Sequence, residues 1–586
     1  MKSRQRMSVL VIVLVAISMA AAAYGATADY VLQNGKIYTS NAKQPWAQAV
    51  AIDAKNIVYV GDKAGSKAFI GKETIVADLK GKVVLPGIIS AHEHPIVFMG
   101  LAAGLVLDFT GNKDAMLKSL SEYIKANPNG PFFSFGGGWE APDFIYRQDI
   151  DNVISDKPFV MIAQSGHGGW ANTKALEMAG IKKGKPDPID YFERDKDGTP
   201  NGYLGSGAAV FYMISKLGLI EKNAVLEQAD DILGYLSSLG ITTFHDAGVP
   251  PGTEEVLFSA IGELEKQHRL SVRIMGSAAM AQRPQHIEAS IASLKKYSPM
   301  YSSELFNLNT LKIHGDGDFG GFTAGLLEPY TDNPDTRGLL SFPDPDQFST
   351  FMLDAVKLGL DIHAHCIGDW TCRVILDGFE EVRKAGYKDA RLSTGHTQLV
   401  DKQDRPRFKE LDITANTFAT GIAVPSEEGP IRLGEERWST YMPMKSFINN
   451  GVRLTLSADW PVEDINPFLQ MYTAMTRSRL GEDEFLLPAS EKLTLEDAIR
   501  AFTADAAYQV RMEKIIGSIE IGKRADLIVI DRDIFNIEKD KIPETNVLIT
   551  MMNGKVVHEE AVDWGKKFPV EAIENFDFCD SQLHDH

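Results

Sequence analysis

Three cysteines in 586 residues are too few for a scaffold built on disulfides. Cys366, Cys372 and Cys579 allow at most one bridge, and a chain this long buries enough apolar surface without staples, so buried or unpaired thiols are expected. Basic residues are also short: 60 Lys and Arg stand against 79 Asp and Glu, a net charge of −19. Phosphate binding needs clustered cations, so no nucleic-acid partner is expected. Beyond the first 25 residues there is no apolar run long enough to cross a bilayer, no glycine loop that would cradle a phosphate, and no serine triad. The remaining composition, 44% hydrophobic and 24% charged, excludes both a disordered tail and a multi-span membrane protein.

The one long apolar run, Val9 to Ala23, follows Lys2, Arg4 and Arg6 and ends at Ala23-Tyr24-Gly25, with small residues at the two positions a signal peptidase reads. It is shorter than the ~20 residues of a spanning helix. A signal peptide over 1–25 is the expectation, with an uncleaved anchor as the alternative. The absence of Cys near the cut argues against a lipoprotein, and Gln5 between Arg4 and Arg6 argues against a twin-arginine signal. The mature chain would be secreted across the inner membrane into the periplasm and would make no membrane contact after cleavage.

Short β-rich runs separated by turn residues mark both ends, Asp29 to Ile75 and Ala525 to Val557, which predicts a small β-sandwich domain built from both termini, 26–82 and 511–560, with 561–586 as a tail. Between them lie eight apolar runs, the last seven alternating with helical patterns: Val83 to Ala91, Ile241 to Asp246, Ser271 to Gly276, Leu308 to His314, Leu360 to His365, Arg391 to Thr397, Asp412 to Phe418 and Arg453 to Asp459. The fold class is therefore α/β, a TIM-type (β/α)8 barrel over 83–510, with an open doubly wound sheet as the alternative. The gap between the first two runs is far longer than ordinary connections, so an inserted subdomain over about 96–240 is expected to roof the barrel mouth. It contains the turn Asp197-Gly198.

Polar residues collect where the runs end. The first closes in His92-Glu93-His94, and residues i and i+2 of a strand share a face, so the two imidazoles can reach one ion while Glu93 points away. Lys312 lies on the fourth run, His365 ends the fifth, His396 closes the sixth and Asp459 ends the eighth. Six candidate metal ligands thus fall at the strand ends of a barrel, where such proteins gather their reactive groups.

Leu85-Pro86-Gly87-Ile88-Ile89-Ser90-Ala91-His92-Glu93-His94 resembles the first-strand signature of the amidohydrolase superfamily. Leu239 to Gly248, Leu311 to Gly317, Thr323 to Tyr330, His365 to Asp369, Gly395 to Gln398 and Ser457 to Val462 resemble its amidohydrolase-3, or YtcJ-like, branch, a likeness running from about Tyr30 to Val557. The resemblance implies that His92 and His94 bind a first divalent ion and His365 and His396 a second, two Zn²⁺ in all, with a one-metal site as the alternative. Lys312 would bridge them as a carbamate formed with CO₂; a lysine salt-bridged near Asp316 is the other reading. Asp459 would ligate the first ion and act as general acid and base while metal-activated hydroxide attacks a small-molecule substrate. The implied activity is that of a metal-dependent amidohydrolase of the EC 3.5 class, cleaving a non-peptide C–N bond in an amide, N-acyl or N-formyl amine. An esterase or cyclic amidase with the same metals, and an exported binding or regulatory protein on this scaffold, are the alternatives.

His167, in the inserted Gly-rich stretch, is the candidate for steadying the carbonyl oxygen, and Trp139, Trp170 and Trp460, each beside a motif residue, are the candidates for substrate contact. A homodimer is left open. Four positions depart from the pattern of the resembled family: Ser90 where Asp is common, Gly395 where Glu usually precedes the sixth-strand His, Ser206 where many relatives carry Glu, and Phe322 in place of a frequent polar residue.

Overall fold

Strand-forming runs at the two ends of the chain meet in one sheet. The computed structural model describes residues 27–560 apart from 103, 107–112, 131, 136–144, 164, 165, 167, 190, 279, 281–283, 343, 423–428 and 482–487. In it, Tyr30–Tyr38, Trp46–Asp53, Asn56–Gly61, Ile75–Asp78 and Val83–Pro86 join Leu527–Ile530, Val547–Met552 and Lys555–Glu559 in a single hydrogen-bonded sheet of eight strands. Val83–Pro86 makes the join, parallel to Lys36 and Ile37 on one side and antiparallel to Leu527–Ile530 on the other. Leu32, Val50, Ile52, Val84 and Leu527 pack together, while Val31, Ala51 and Val58 form a separate cluster, as period-two alternation requires. The first apolar run is therefore divided at Gly87, its first half in this sheet and its second half in the barrel.

The barrel strands are β1 (Ile88–Glu93), β2 (Ile241–Asp246), β3 (Arg273–Ser277), β4 (Phe306–His314), β5 (Asp361–Cys366), β6 (Leu392–His396), β7 (Ile413–Thr417) and β8 (Arg453–Leu456). Each pairs in parallel with the next, and they occupy all eight predicted runs. Just beyond β8 the seam to β1 is bridged: Asp459 N donates to His92 O (3.1 Å) and His94 N to Trp460 O (2.8 Å). Strands β1, β2, β3, β5, β6 and β7 are buried at every position, because side chains fill the inside and helices cover the outside. Lys222–Ser238 presents Ala229, Ile232, Leu233 and Leu236 at helical spacing to that core. Helix Leu495–Ala501 starts with a capping box, in which Thr494 Oγ1 accepts from Asp497 N and Asp497 Oδ2 from Thr494 N, both at 3.1 Å.

The stretch between β1 and β2 forms its own sheet of six strands, Leu105–Val106, Phe133–Phe135, Val160–Ile162, Gly169–Ala171, Phe192–Arg194 and Pro200–Leu204. The hairpin at Asp197-Gly198 is present, with Gly198 at φ 81° and Asp195 N donating to Thr199 O at 2.8 Å. Fully buried Arg273 ties the terminal sheet to the barrel by donating to Thr243 Oγ1, Asp526 Oδ2 and Asn553 Oδ1 at 2.6–2.8 Å. Cys366 and Cys372 are buried free thiols, and Cys579 lies outside the described residues. Among the described residues no helix is long and apolar enough to cross a membrane.

Candidate metal centre

Five predicted ligands converge beyond the strand ends. Asp459 Oδ1 lies 3.2 Å from His94 Nε2 and 3.4 Å from His92 Nε2, Asp459 Oδ2 lies 4.0 Å from His396 Nδ1, and Lys312 Nζ lies 3.1 Å from His92 Nε2. His92, His396 and Asp459, all buried, each offer a ligand atom within 4.8 Å of the others.

The hydrogen bonds behind these rings fix where their protons sit. Ser393 Oγ donates to Ile362 O, so it accepts from His363 Nδ1 at 2.8 Å; His363 Nε2 then accepts from His92 Nδ1 at 2.9 Å. His92 is left with its Nε2 lone pair facing Asp459 and Lys312. Gly248 O can only accept, so His94 Nδ1 donates to it at 3.1 Å, which turns Nε2 toward Asp459. Burial, with Lys312 next, holds His92 well below the usual imidazole range, so its ring is neutral. Two imidazole Nε2 atoms and a carboxylate facing one another form a donor set that suits a divalent cation, with outer partners orienting each ring.

Glycine makes two of these contacts possible. Gly248 has φ 112°, and a Cβ there would lie 2.8 Å from Met280 Cγ. A Cβ at Gly395 would lie 2.7 Å from both His92 Cε1 and Nδ1 and 3.0 Å from His363 Nε2, so the pair of rings occupies the space a side chain at 395 would take.

Lys312 is 1% exposed, and burial lowers its pKa to about 7 although Asp459 and Asp246 oppose the shift. A substantial neutral fraction is therefore present at neutral pH, the form that captures CO₂. Asp316 accepts instead from Gly325 N, Ile367 N and Gly368 N at 2.8–3.1 Å. Burial disfavours ionisation of Asp459, yet the rings of His396 and His94 together with Lys312 hold its carboxyl below the usual range. His396 (φ 68°), Thr397 (φ 44°) and Asp459 (φ 55°) adopt the left-handed backbone that non-glycine residues avoid, a strain that persists where surrounding bonds impose it.

Glu93 imposes it on Asp459. As expected it points away from the imidazoles, but what it meets is the loop after β8: Oε1 accepts from Ala458 N at 2.9 Å and Oε2 from Trp460 N at 2.5 Å, the two amides flanking Asp459. Ser90 Oγ donates to the same carboxyl, and burial pushes its pKa up to about 8.

His365 is placed beside His396, ring centroids 4.3 Å apart, with its Nδ1 3.3 Å from His314 Nε2 and its Nε2 3.8 Å from Asp316 Oδ1. Trp170 is 2% exposed in the core of the insertion with Met116, Leu120 and Phe159, and is not among the residues lining the cavity over the centre. The Trp460 ring packs edge-on against Phe98 (4.7 Å), so it backs the cavity wall, while Pro461 and Val462 line it. His167 and Trp139 lie outside the described residues. Sequence reasoning missed His314, His363, His245 and Glu93. His245 is buried beneath β1, its Nδ1 donating to Ala91 O at 3.2 Å and its Nε2 accepting from Ser277 Oγ at 2.9 Å.

The cavity measures about 740 Å³ including its open mouth. His92, His94, Lys312, His314, His396 and Asp459 are its polar lining, and Val97, Phe98 and Leu101 of helix Pro95–Leu101, with Ile162, Val210, Phe211 and Ile214 further along the insertion and Met280 after β3, are apolar lining. The insertion thus walls the barrel mouth.

Imidazoles, a lysine and a carboxylate gathered at the strand ends of a (β/α)8 barrel are the architecture of a metal-dependent hydrolase. Residues 76–558 match the model of the Amidohydrolase family, and the chain belongs to that family. It is 30% identical to Protein LONG AFTER FAR-RED 3 of Arabidopsis thaliana over 550 residues, 91% of this chain and 92% of that one. It is 26% identical to N-substituted formamide deformylase of Arthrobacter pascens over 557 residues, 91% of this chain and 98% of that one. Among solved structures, an uncharacterized metal-dependent hydrolase from Pyrococcus horikoshii shares the fold with a TM-score of 0.71 at 23% identity, covering 87% of this chain and 99% of the other.

Proposed function

We propose that this chain is an exported metal-dependent amidohydrolase that cleaves a non-peptide C–N bond in a neutral amide, N-acyl amine or N-formyl amine bearing an apolar group. The observation that carries the reading is one cavity lined both by donors for a divalent ion and by ten apolar side chains. Apart from the metal-centre residues, its described lining holds no charged side chain to recognise a phosphate, an amino acid or a sugar acid. The name of the Arthrobacter relative, a formamide deformylase, agrees with this chemistry.

His92, His94 and Asp459 would hold one divalent ion and His365 and His396 a second, and such ions, when bound, would supply Lewis acidity toward water and a carbonyl. Zn²⁺ suits the nitrogen-rich donor set. Asp459, kept ionised by its imidazole neighbours, takes the proton of the attacking water at one carboxylate oxygen and returns it to the departing amine nitrogen, so the C–N bond breaks with a neutral leaving group. Lys312, as a carbamate, would add a negatively charged oxygen donor to the centre. The apolar wall desolvates the substituent and holds the carbonyl toward the donors.

The test pairs metal analysis with a substrate screen. Purified mature protein is expected to hold about two divalent ions and to hydrolyse N-formyl or N-acetyl derivatives of an arylalkyl amine. Asp459→Asn should lower kcat by a factor of a thousand or more, in line with removal of a general acid–base and ligand, about 4 kcal/mol. Full activity after exhaustive chelation would sink the proposal.

A further inference from the structure

His314 ends β4 two residues beyond Lys312, so the two side chains project from the same face of the strand. The β4–β5 register sets His314 beside His365, and the β5–β6 register sets Cys366 beside His396, so three imidazoles stand at the ends of three consecutive strands. They are in contact. His314 Nε2 is 3.3 Å from His365 Nδ1 with the rings at 84°, and the rings of His365 and His396 are 4.3 Å apart. His314 lines the cavity, whereas His365 is 1% exposed. Two nitrogens bound tetrahedrally to one zinc ion at about 2.0–2.1 Å lie about 3.3–3.4 Å apart. That spacing matches the His314–His365 separation.

We propose that His314 is a ligand of the second divalent ion, which then sits against three imidazoles, His314, His365 and His396. Lys312, with Nζ 3.1 Å from His92 Nε2, stands on the side of the first ion's ligands. The competing reading is a hydrogen bond between neutral rings in which His314 merely orients His365. This inference rests on the metal-dependent reading of the centre.

The mature protein is stripped with a chelator and titrated with Zn²⁺ against a chromophoric competitor, with bound metal counted by mass spectrometry. Wild type is expected to bind two ions. His314→Phe, and His314→Asn should Phe fail to fold, is expected to keep one ion and bind the other about a hundredfold or more weaker. X-ray absorption of the two-zinc wild-type protein needs no variant: five imidazoles shared by two ions average 2.5 per zinc, against 2 without His314. Variants that bind two ions with unchanged affinity, an average of 2, or a wild type binding a single ion unaffected by His314→Phe each overturn this assignment and leave metal dependence standing. A wild-type chain that binds no ion overturns both.

Discussion

Replacing Glu93 tests whether the Asp459 loop is held from outside the metal group. The two oxygens of the Glu93 carboxyl accept from Ala458 N and Trp460 N, and Glu93 is fully buried, so alanine leaves both amides without an acceptor in a place water does not reach. Each unmatched buried donor costs about 1–3 kcal/mol, which sets the loss for Glu93→Ala at about 2–6 kcal/mol. Glu93→Gln keeps one oxygen acceptor and turns an NH₂ toward the other amide, for about 1–3 kcal/mol. The loop carries Asp459 in a left-handed backbone held also by Asp459 N to His92 O, so the alanine variant should let the carboxylate drift. A displacement of about 1 Å costs roughly a hundredfold in rate. The urea midpoint, read by near-ultraviolet circular dichroism, should fall in the order wild type, Gln, Ala, and zinc affinity should follow it. An alanine variant with the wild-type midpoint and the wild-type zinc affinity would refute the reasoning.

Acid stability gives a second check. Burial lowers the pKa of His245 to about 3 from 6.5, so the unfolded chain binds a proton that the folded chain refuses, and stability falls as pH drops below 6.5. Between pH 7 and pH 5 this one residue accounts for about 2 kcal/mol, and His245→Gln, compared by urea midpoints at the two values, should lose that much less than wild type. Arg273→Ala breaks the buried ion pair with Asp526 and should destabilise by about 3–5 kcal/mol, whereas Arg273→Met paired with Asp526→Leu should recover most of it; equal losses in the single and double variants would contradict this.

The barrel was legible because its strands are short, largely buried apolar runs bounded by turns, the last seven alternating with helical patterns. What escaped was the break at Gly87. Val83 to Ala91 reads as one run, and only the pairing of Val83–Pro86 with Leu527–Ile530, hundreds of residues away, shows that its first half belongs elsewhere. The ligands were legible through period two at His92 and His94. The same period links Lys312 to His314 and His363 to His365, so two of the three missed histidines carried a local signal equal to the one that was used. Trp170 shows the opposite error. Standing beside a motif in sequence does not turn a side chain toward the site, and all three residues of its strand, Gly169–Ala171, are buried. Glu93 had no local signal, because its partner amides lie more than 360 residues away, across the barrel seam.

The four departures from the resembled family's pattern are each occupied by a contact of this chain. With Ser90 in place of Asp, the carboxyl beside that hydroxyl comes from Glu93, three residues on. With Gly395 in place of Glu, the space is filled by His92 and His363, whose hydrogen bond sets the tautomer of the first ligand. Ser206 caps helix Gly207–Leu217 by accepting from Ala209 N at 3.3 Å, and that helix supplies Val210, Phe211 and Ile214 to the cavity wall. Phe322 stacks under Arg432, whose guanidinium lies 3.9 Å from the ring and pairs with Asp332. Polar partners or packing of this chain occupy all four positions. The candidate donors His92, His94, Lys312, His365, His396 and Asp459 are all present, while the groups packed around them differ from the resembled family's pattern. Of the four departures, Ser206 also bears on the cavity, because the helix it caps carries Val210, Phe211 and Ile214 of the lining.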